Sequence, residues 1–132
     1  MAGQYLKKII AKSTDDLQFI SACCYKAKVK ISDIKYLPIN KIFIISLERY
    51  NRETEEKKNK INSIIKFEFV ESIKSKKIDQ NNADLILELQ AIDILKKNFK
   101  YEIVMLFSNN KILILNVEVL EMMMEDEVKI ND

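Results

Sequence analysis

FKYEIVMLFSNNKILILNVEV, from Phe99 to Val119, is the stretch whose reading decides the fold. Apolar side chains alternate on both sides of Ser108-Asn109-Asn110, the period-two rhythm of two adjoining strands. Loop length then selects the faces that meet, because one residue more or less turns the whole return strand over. A two-residue turn puts Glu118 beside Tyr101 and Asn116 beside Ile103, mixing polar groups into an apolar row. A three-residue loop instead aligns Phe99, Tyr101, Ile103 and Met105 with Val119, Val117, Leu115 and Leu113, and leaves Lys100 opposite Glu118 on the other face. That register is the expected one, with Asn110 in the left-handed conformation such a loop usually takes from glycine.

The same rhythm extends toward the N-terminus. Leu85, Leu87, Leu89 and Ala91 alternate with Ile86, Glu88, Gln90 and Ile92, and Lys96-Lys97-Asn98 makes a turn before Phe99. Ile61, Ile65, Phe67, Phe69 and Ile73 read as one half-buried strand. Residues 48–60 are dense in charge and read as an exposed connection or frayed helix. Val29 and Ile31 share one parity while Ile34 and Tyr36 share the other, which places a bulge or bend near Ser32-Asp33. The turn around Pro38 and Asn40, with Asn40 left-handed, sets Ile34 and Tyr36 opposite Ile45 and Phe43.

Ahead of these strands, Ser13-Thr14 is a helix N-cap signal with Asp15 and Asp16 in the first turn. Leu17, Ile20, Cys24 and Ala27 form an apolar stripe at helical spacing, which Phe19 and Cys23 widen. Residues 4–12 read as a short first strand, and Glu125 to Asp132 as a polar tail. The chain is thus expected to be one α+β domain over residues 1–132. Its strongly curved, mostly antiparallel sheet or partial barrel would have about six to seven strands, with one N-terminal helix packed on it.

Composition narrows the chemistry. The 132 residues are 48% apolar, enough for a single core that buries roughly two-thirds of the unfolded surface. The one glycine is Gly3, the one proline is Pro38, and histidine and tryptophan are absent. Glycine-rich phosphate loops, dinucleotide fingerprints and imidazole-based triads are therefore excluded. Cys23 and Cys24, adjacent and alone, make neither a disulfide framework nor a zinc site and point to a reduced, cytoplasmic setting. No run approaches the ~20 apolar residues of a membrane span. No cofactor and no metal is expected.

All but Arg49 and Arg52 of the 22 basic residues are lysine, and 20 acidic residues leave a net charge of +2. The 21 isoleucines and 11 asparagines beside those lysines point to A+T-rich coding, which discounts the lysine count as a sign of nucleic-acid binding.

Several segments carry a resemblance. Leu6-Lys7-Lys8, Asp15-Asp16-Leu17, Ile20-Ser21-Ala22, Asp33-Ile34-Lys35-Tyr36-Leu37-Pro38, Leu87-Glu88-Leu89 and Val117-Glu118-Val119-Leu120-Glu121 resemble, in this order, small alphaproteobacterial proteins grouped as domain of unknown function 2948. The resemblance implies a compact bacterial cytoplasmic domain and no particular chemistry. Relatives tend to have a glycine-rich turn before the final strand, where this chain has Asn109 and Asn110.

No catalytic residue is singled out. The candidates for binding are Arg49, Tyr50 and Arg52, whose guanidinium forks suit a carboxylate, phosphate or partner backbone, and the carboxylates Glu118 and Glu121. Solvated cross-strand pairing is the plainer reading of Glu118, as it is of Glu88 and Glu102. Met122, Met123 and Met124 cannot all face inward, so this segment is the candidate contact of a homodimer. The leading expectation is a non-catalytic protein-interaction or small-ligand binding domain. A histidine-independent enzyme would need Glu88, Glu102 and Glu118 to line one cleft, and weak nucleic-acid binding would need a basic face around Lys74 to Lys77.

Overall fold

A computed structural model describes residues 8–50 and 60–127. Along the chain these form β1 (Lys8–Ala11), α1 (Thr14–Cys23), β2 (Lys28–Lys30), a 3₁₀ turn (Ile31–Asp33), β3 (Ile34–Leu37), β4 (Ile42–Tyr50), β5 (Lys60–Phe67), β6 (Val70–Lys76), β7 (Ile86–Lys97), β8 (Lys100–Phe107), a second tight turn (Ser108–Asn110), β9 (Lys111–Val117) and β10 (Met122–Asp126).

The α1 helix starts where its sequence says it should. Ser13 Oγ accepts a hydrogen bond from the Asp16 N–H at 3.2 Å, satisfying a donor that the first helical turn leaves without a partner. Replacing Ser13 by alanine is expected to cost about 1 kcal/mol, read as a shift in the urea midpoint at constant slope. Leu17, Ile20, Cys24 and Ala27 are all buried, although the last two lie beyond the helix end. The helix packs on β7 and β1, and Ser21 Oγ accepts from the Ile92 N–H at 2.8 Å.

All strand pairs are antiparallel, and the order across the sheet is β1-β10-β5-β4-β2-β7-β8-β9-β6, with β3 paired on β4 alone. The register of β8 on β9 is the one that a three-residue loop requires: Tyr101, Ile103 and Met105 face Val117, Leu115 and Leu113. Both Asn109 and Asn110 take positive φ, at 63° and 61°. Phe99 leaves the row, however, and sits fully exposed at the tip of the β7–β8 hairpin. The β3–β4 register, Ile34 to Ile45 and Tyr36 to Phe43, is likewise as expected. There the left-handed residue is Lys41, φ 57°, in place of Asn40.

The sheet has ten strands instead of six or seven. Two expected strands are each divided: one by the 3₁₀ turn at Ile31–Asp33, the other between β5 and β6, where Phe69 adopts φ 59°. Alternation continues past that break as far as Phe69, which hides it; the off-parity Val70, buried at the start of β6, marks it. Of the expected charged connection, residues 48–50 belong to β4 and Lys60 to β5, while Glu125 and Asp126 belong to β10, so any polar tail begins beyond Asp126; residues 51–59 and 128–132 lie outside the described residues.

The Glu68-Phe69 link carries the chain from β5, third in the sheet order, to β6, last in it. Two residues span that distance only because the sheet rolls back on itself. Its inner face holds Phe43, Ile45, Ile65, Phe67, Leu89 and Leu115 around one core. The roll does not close into a barrel, since among the described residues β3 pairs only with β4 and β6 only with β9.

With no glycine after Gly3, seven described positions take the left-handed conformation on other residues: Lys26, Lys41, Phe69, Lys77, Asn98, Asn109 and Asn110. For residues with a Cβ this costs roughly 1–2 kcal/mol. Lys77 is exposed, so Lys77→Gly loses little packing and is expected to raise stability by about 0.5–1 kcal/mol after the added freedom of the unfolded chain is subtracted. A lowered thermal midpoint would contradict this account.

Candidate functional site

The seam that keeps the sheet from closing is the most distinctive feature of the surface. On β3, Ile34 and Tyr36 point inward while Lys35 and Leu37 are exposed. On β6, Ile73 and Ser75 point inward while Lys74 and Lys76 are exposed. Two strand edges with no strand neighbour among the described residues therefore flank one opening, each with apolar groups inside and lysine outside. At one end the seam is pinned by Tyr36, whose hydroxyl donates to the Val70 carbonyl at 2.9 Å, and by the Val70 N–H, which donates to the Lys41 carbonyl at 2.9 Å. At the other end the Ile31 N–H donates to Leu85 O at 3.0 Å and the Ser32 N–H to Ala83 O at 3.2 Å.

Between the pins lies a groove of ≈ 410 Å³. Its walls are Ile31, Ile34, Ile73 and Ile78, and its floor is Phe43 and Leu113 of the core. The floor residues are buried, but the four wall isoleucines are only half-buried despite packing against the core. Gln80 Nε2 donates to Ser75 Oγ at 2.9 Å, placing one polar pair in the groove. The size and largely apolar lining are those of a ligand pocket.

A second recess of ≈ 440 Å³ opens where the 3₁₀ turn draws the chain away from β4. Its lining includes Lys28, Lys30, Glu48, Asn62 and Glu127. Two of its charges are already matched: Lys28 by Glu88 and Glu48 by Lys60. The groove is the better candidate because most of its lining is apolar, which water does not satisfy.

The residues singled out from sequence are scattered. Arg49, expected at an exposed strand end, is fully buried. Its Nη2 donates to Asp126 Oδ2 at 2.9 Å and Oδ1 at 3.0 Å, and its Nε to Ser63 Oγ at 3.1 Å. Ser63 Oγ in turn donates to Asp126 Oδ1 at 2.6 Å. The arginine does grip a carboxylate, but one from its own chain, tying β4, β5 and β10 together. Tyr50 is half-buried at the end of β4 with Lys60 Nζ 5.9 Å from its ring centre, and Arg52 lies outside the described residues.

Glu118 pairs with Lys41 at 3.2 Å and Glu121 with Lys12 at 3.3 Å. Lys100 bonds to Glu71 at 2.6 Å in place of the expected Glu118, and Glu102 pairs with Lys97 at 3.2 Å. Met122 and Met124 are buried, the latter 3.7 Å through its sulfur from Cys24 Sγ, which leaves only Met123 facing Ile10 near the surface. Among the described residues no three His, Cys, Asp or Glu side chains assemble as a metal site, and no helix is long and apolar enough to cross a membrane.

These surface pairs shift their carboxylates. The hydrogen bond from Lys28 holds the Glu88 carboxyl below its usual value, and that from Lys100 does the same for Glu71. Glu121 is also lowered, first by its hydrogen bond with Glu68 and then by Lys12. A depressed carboxylate stabilises the fold above its unfolded-state value near 4.5, and that contribution is lost as pH falls through the folded value. In an NMR titration Glu88 is accordingly expected to protonate below 4.5, and Lys28→Gln to move its titration upward; no movement would show that the pair does not persist in solution.

The groove escaped sequence reading because it is made by two strand edges that only the roll of the sheet brings together. Comparison with known proteins adds the following. A family model described as "Protein of unknown function (DUF2948)" matches residues 7–131. No curated protein and no solved structure matches the chain. With nearly its whole length matched, the chain belongs to the DUF2948 family of proteins of unknown function.

Proposed function

We propose that the protein is a non-catalytic binding domain whose partner, a small molecule or a short protein segment, seats in the groove between β3 and β6. The observation that carries this reading is the partial exposure of four isoleucines beside the core, at a gap between two strand edges that have no strand neighbour among the described residues. Exposed apolar surface in contact with the core is unfavourable unless something covers it. The carboxylate enzyme is less well supported, because Glu88, Glu102 and Glu118 each meet a different lysine instead of converging. Seven lysines elsewhere on the surface are matched by glutamates, which likewise disfavours an extended nucleic-acid face. We extend the reading to a cytoplasmic bacterial protein, in keeping with two adjacent cysteines buried in the core. A homodimer contact would use Met123 and Ile10, and a constant monomer mass by light scattering at high concentration would refute it.

The groove is tested with N-phenyl-1-naphthylamine, an uncharged apolar fluorophore. Saturable one-to-one binding is expected, and Ile73→Trp, which fills the gap, is expected to weaken it by about tenfold, or about 1.4 kcal/mol, with circular dichroism unchanged. Absence of saturable binding, or indifference to Ile73→Trp in a folded variant, would overturn the proposal.

A further inference from the structure

We infer that the occupant of the groove is a single-chain amphiphile: a linear apolar chain lying along the seam, with an anionic head held by Lys35, Lys74 and Lys76. This rests on the groove being the binding site and goes further by naming the chemistry. Shape comes first. The opening runs along two strands and is closed by backbone hydrogen bonds at both ends, at Val70 with Lys41 and at Ile31 and Ser32 with the loop before β7. A peptide strand laid between β3 and β6 would have to leave through those pins. A flexible chain contained within ≈ 410 Å³ does not.

Lining comes second. The side chains of Ile31, Ile34, Ile73 and Ile78 over Phe43 and Leu113 carry no hydrogen-bonding groups, and Ser75 and Gln80 already engage each other. The side-chain walls therefore favour an apolar body, and the polar groups left beside it are those of the two strand edges.

Charge decides the head. Lys35 stands exposed on one bank, and Lys74 and Lys76 on the other. Seven lysines elsewhere, among them Lys8, Lys12, Lys28 and Lys41, have glutamate partners; the three on the banks have no ion-pair partner among the described residues, a state they share with lysines such as Lys66 and Lys111, and are set apart by facing one another across the opening. The acids nearest in sequence are turned to other work: Glu71 pairs with Lys100 at 2.6 Å, Asp33 lines the second recess, and Asp79 accepts from the Asn81 N–H at 3.0 Å. The outward residues next to them in the sheet, Ile44, Ile112 and Ile114, carry no charge. A head with negative charge thus meets three cations, and the one carboxylate on these strands, Glu71, is already paired with Lys100.

The experiment displaces bound N-phenyl-1-naphthylamine with decanoate or decyltrimethylammonium, two chains of equal length and opposite head, below their micellar concentrations. Decanoate is expected to displace at least about tenfold more effectively, a preference of about 1.4 kcal/mol. The preference should shrink with added salt and vanish in the Lys35→Gln/Lys74→Gln/Lys76→Gln variant. Equal displacement by both would overturn the anionic head while leaving the groove intact as a site. Displacement by neither, with fluorophore binding still sensitive to Ile73→Trp, would overturn the linear chain. Loss of fluorophore binding altogether would instead strike the reading on which this one rests.

Discussion

Urea unfolding of an Asp126→Ala variant is expected to show a loss of about 3–5 kcal/mol, a large fraction of the ~5–15 kcal/mol that stabilises an ordinary domain. The thermal midpoint should fall by roughly 10–15 °C. The cause is the state of Arg49 once its partner is gone. The guanidinium is fully buried, takes both carboxylate oxygens of Asp126, and shares that carboxylate with Ser63. Removing the carboxylate strips a buried cation of its bidentate partner and leaves Ser63 without its acceptor. The size of the loss is therefore the penalty of a disrupted buried cluster and does not measure the net worth of the pair. An Arg49→Met/Ser63→Ala/Asp126→Leu variant, with the polar cluster replaced by apolar groups, should recover most of it. If Asp126→Ala cost less than about 1 kcal/mol, within the range of an exposed pair, the cluster would have to be hydrated in solution.

The second large effect concerns the two phenylalanines that face each other on β4 and β5. Phe43 and Phe67 are cross-strand neighbours with ring centres 6.1 Å apart, tilted at 48°. Phe67 has no exposed surface and faces Met122 on its other side, so Phe67→Ala opens a closed cavity and should cost about 3–5 kcal/mol. Phe43 forms the floor of the groove. The space left by Phe43→Ala joins one already open to water, and half-buried Ile34 and Ile73 can settle into it. A smaller loss, about 2–3 kcal/mol, is expected. The comparison of urea midpoints is the check: an equal or greater loss at Phe43 would mean that the groove is shut in solution.

How much of this was legible beforehand varies with the physics of each element. The β3–β4 and β8–β9 registers could be read because an apolar row must meet an apolar row, and parity permits few loop lengths. The helix start could be read because Ser13 signals it locally. Division of the expected long strand could not be, because the break rests on a left-handed Phe69, a conformation that its side chain disfavours. Once β6 is displaced by that break, the strand count changes. Burial of Arg49 was hidden for a different reason: its partner stands 77 residues away, in a stretch whose composition reads as a solvated tail. The groove shares that remoteness, with Ile34 from one strand and Ile73 from another meeting only across the rolled sheet.

The placement of β10 has a consequence for how the molecule is made. This late strand lies between the earliest one, β1, and β5. Until residue 126 has left the ribosome, β1 has no strand neighbour and β5 lacks one of its two. Local hairpins such as β7–β8 can pair during synthesis, but joining the first strand to the rest waits for a contact between the two ends of the fold. Refolding from denaturant should correspondingly be slow, on the order of milliseconds to seconds, as for other sheets dominated by distant pairings.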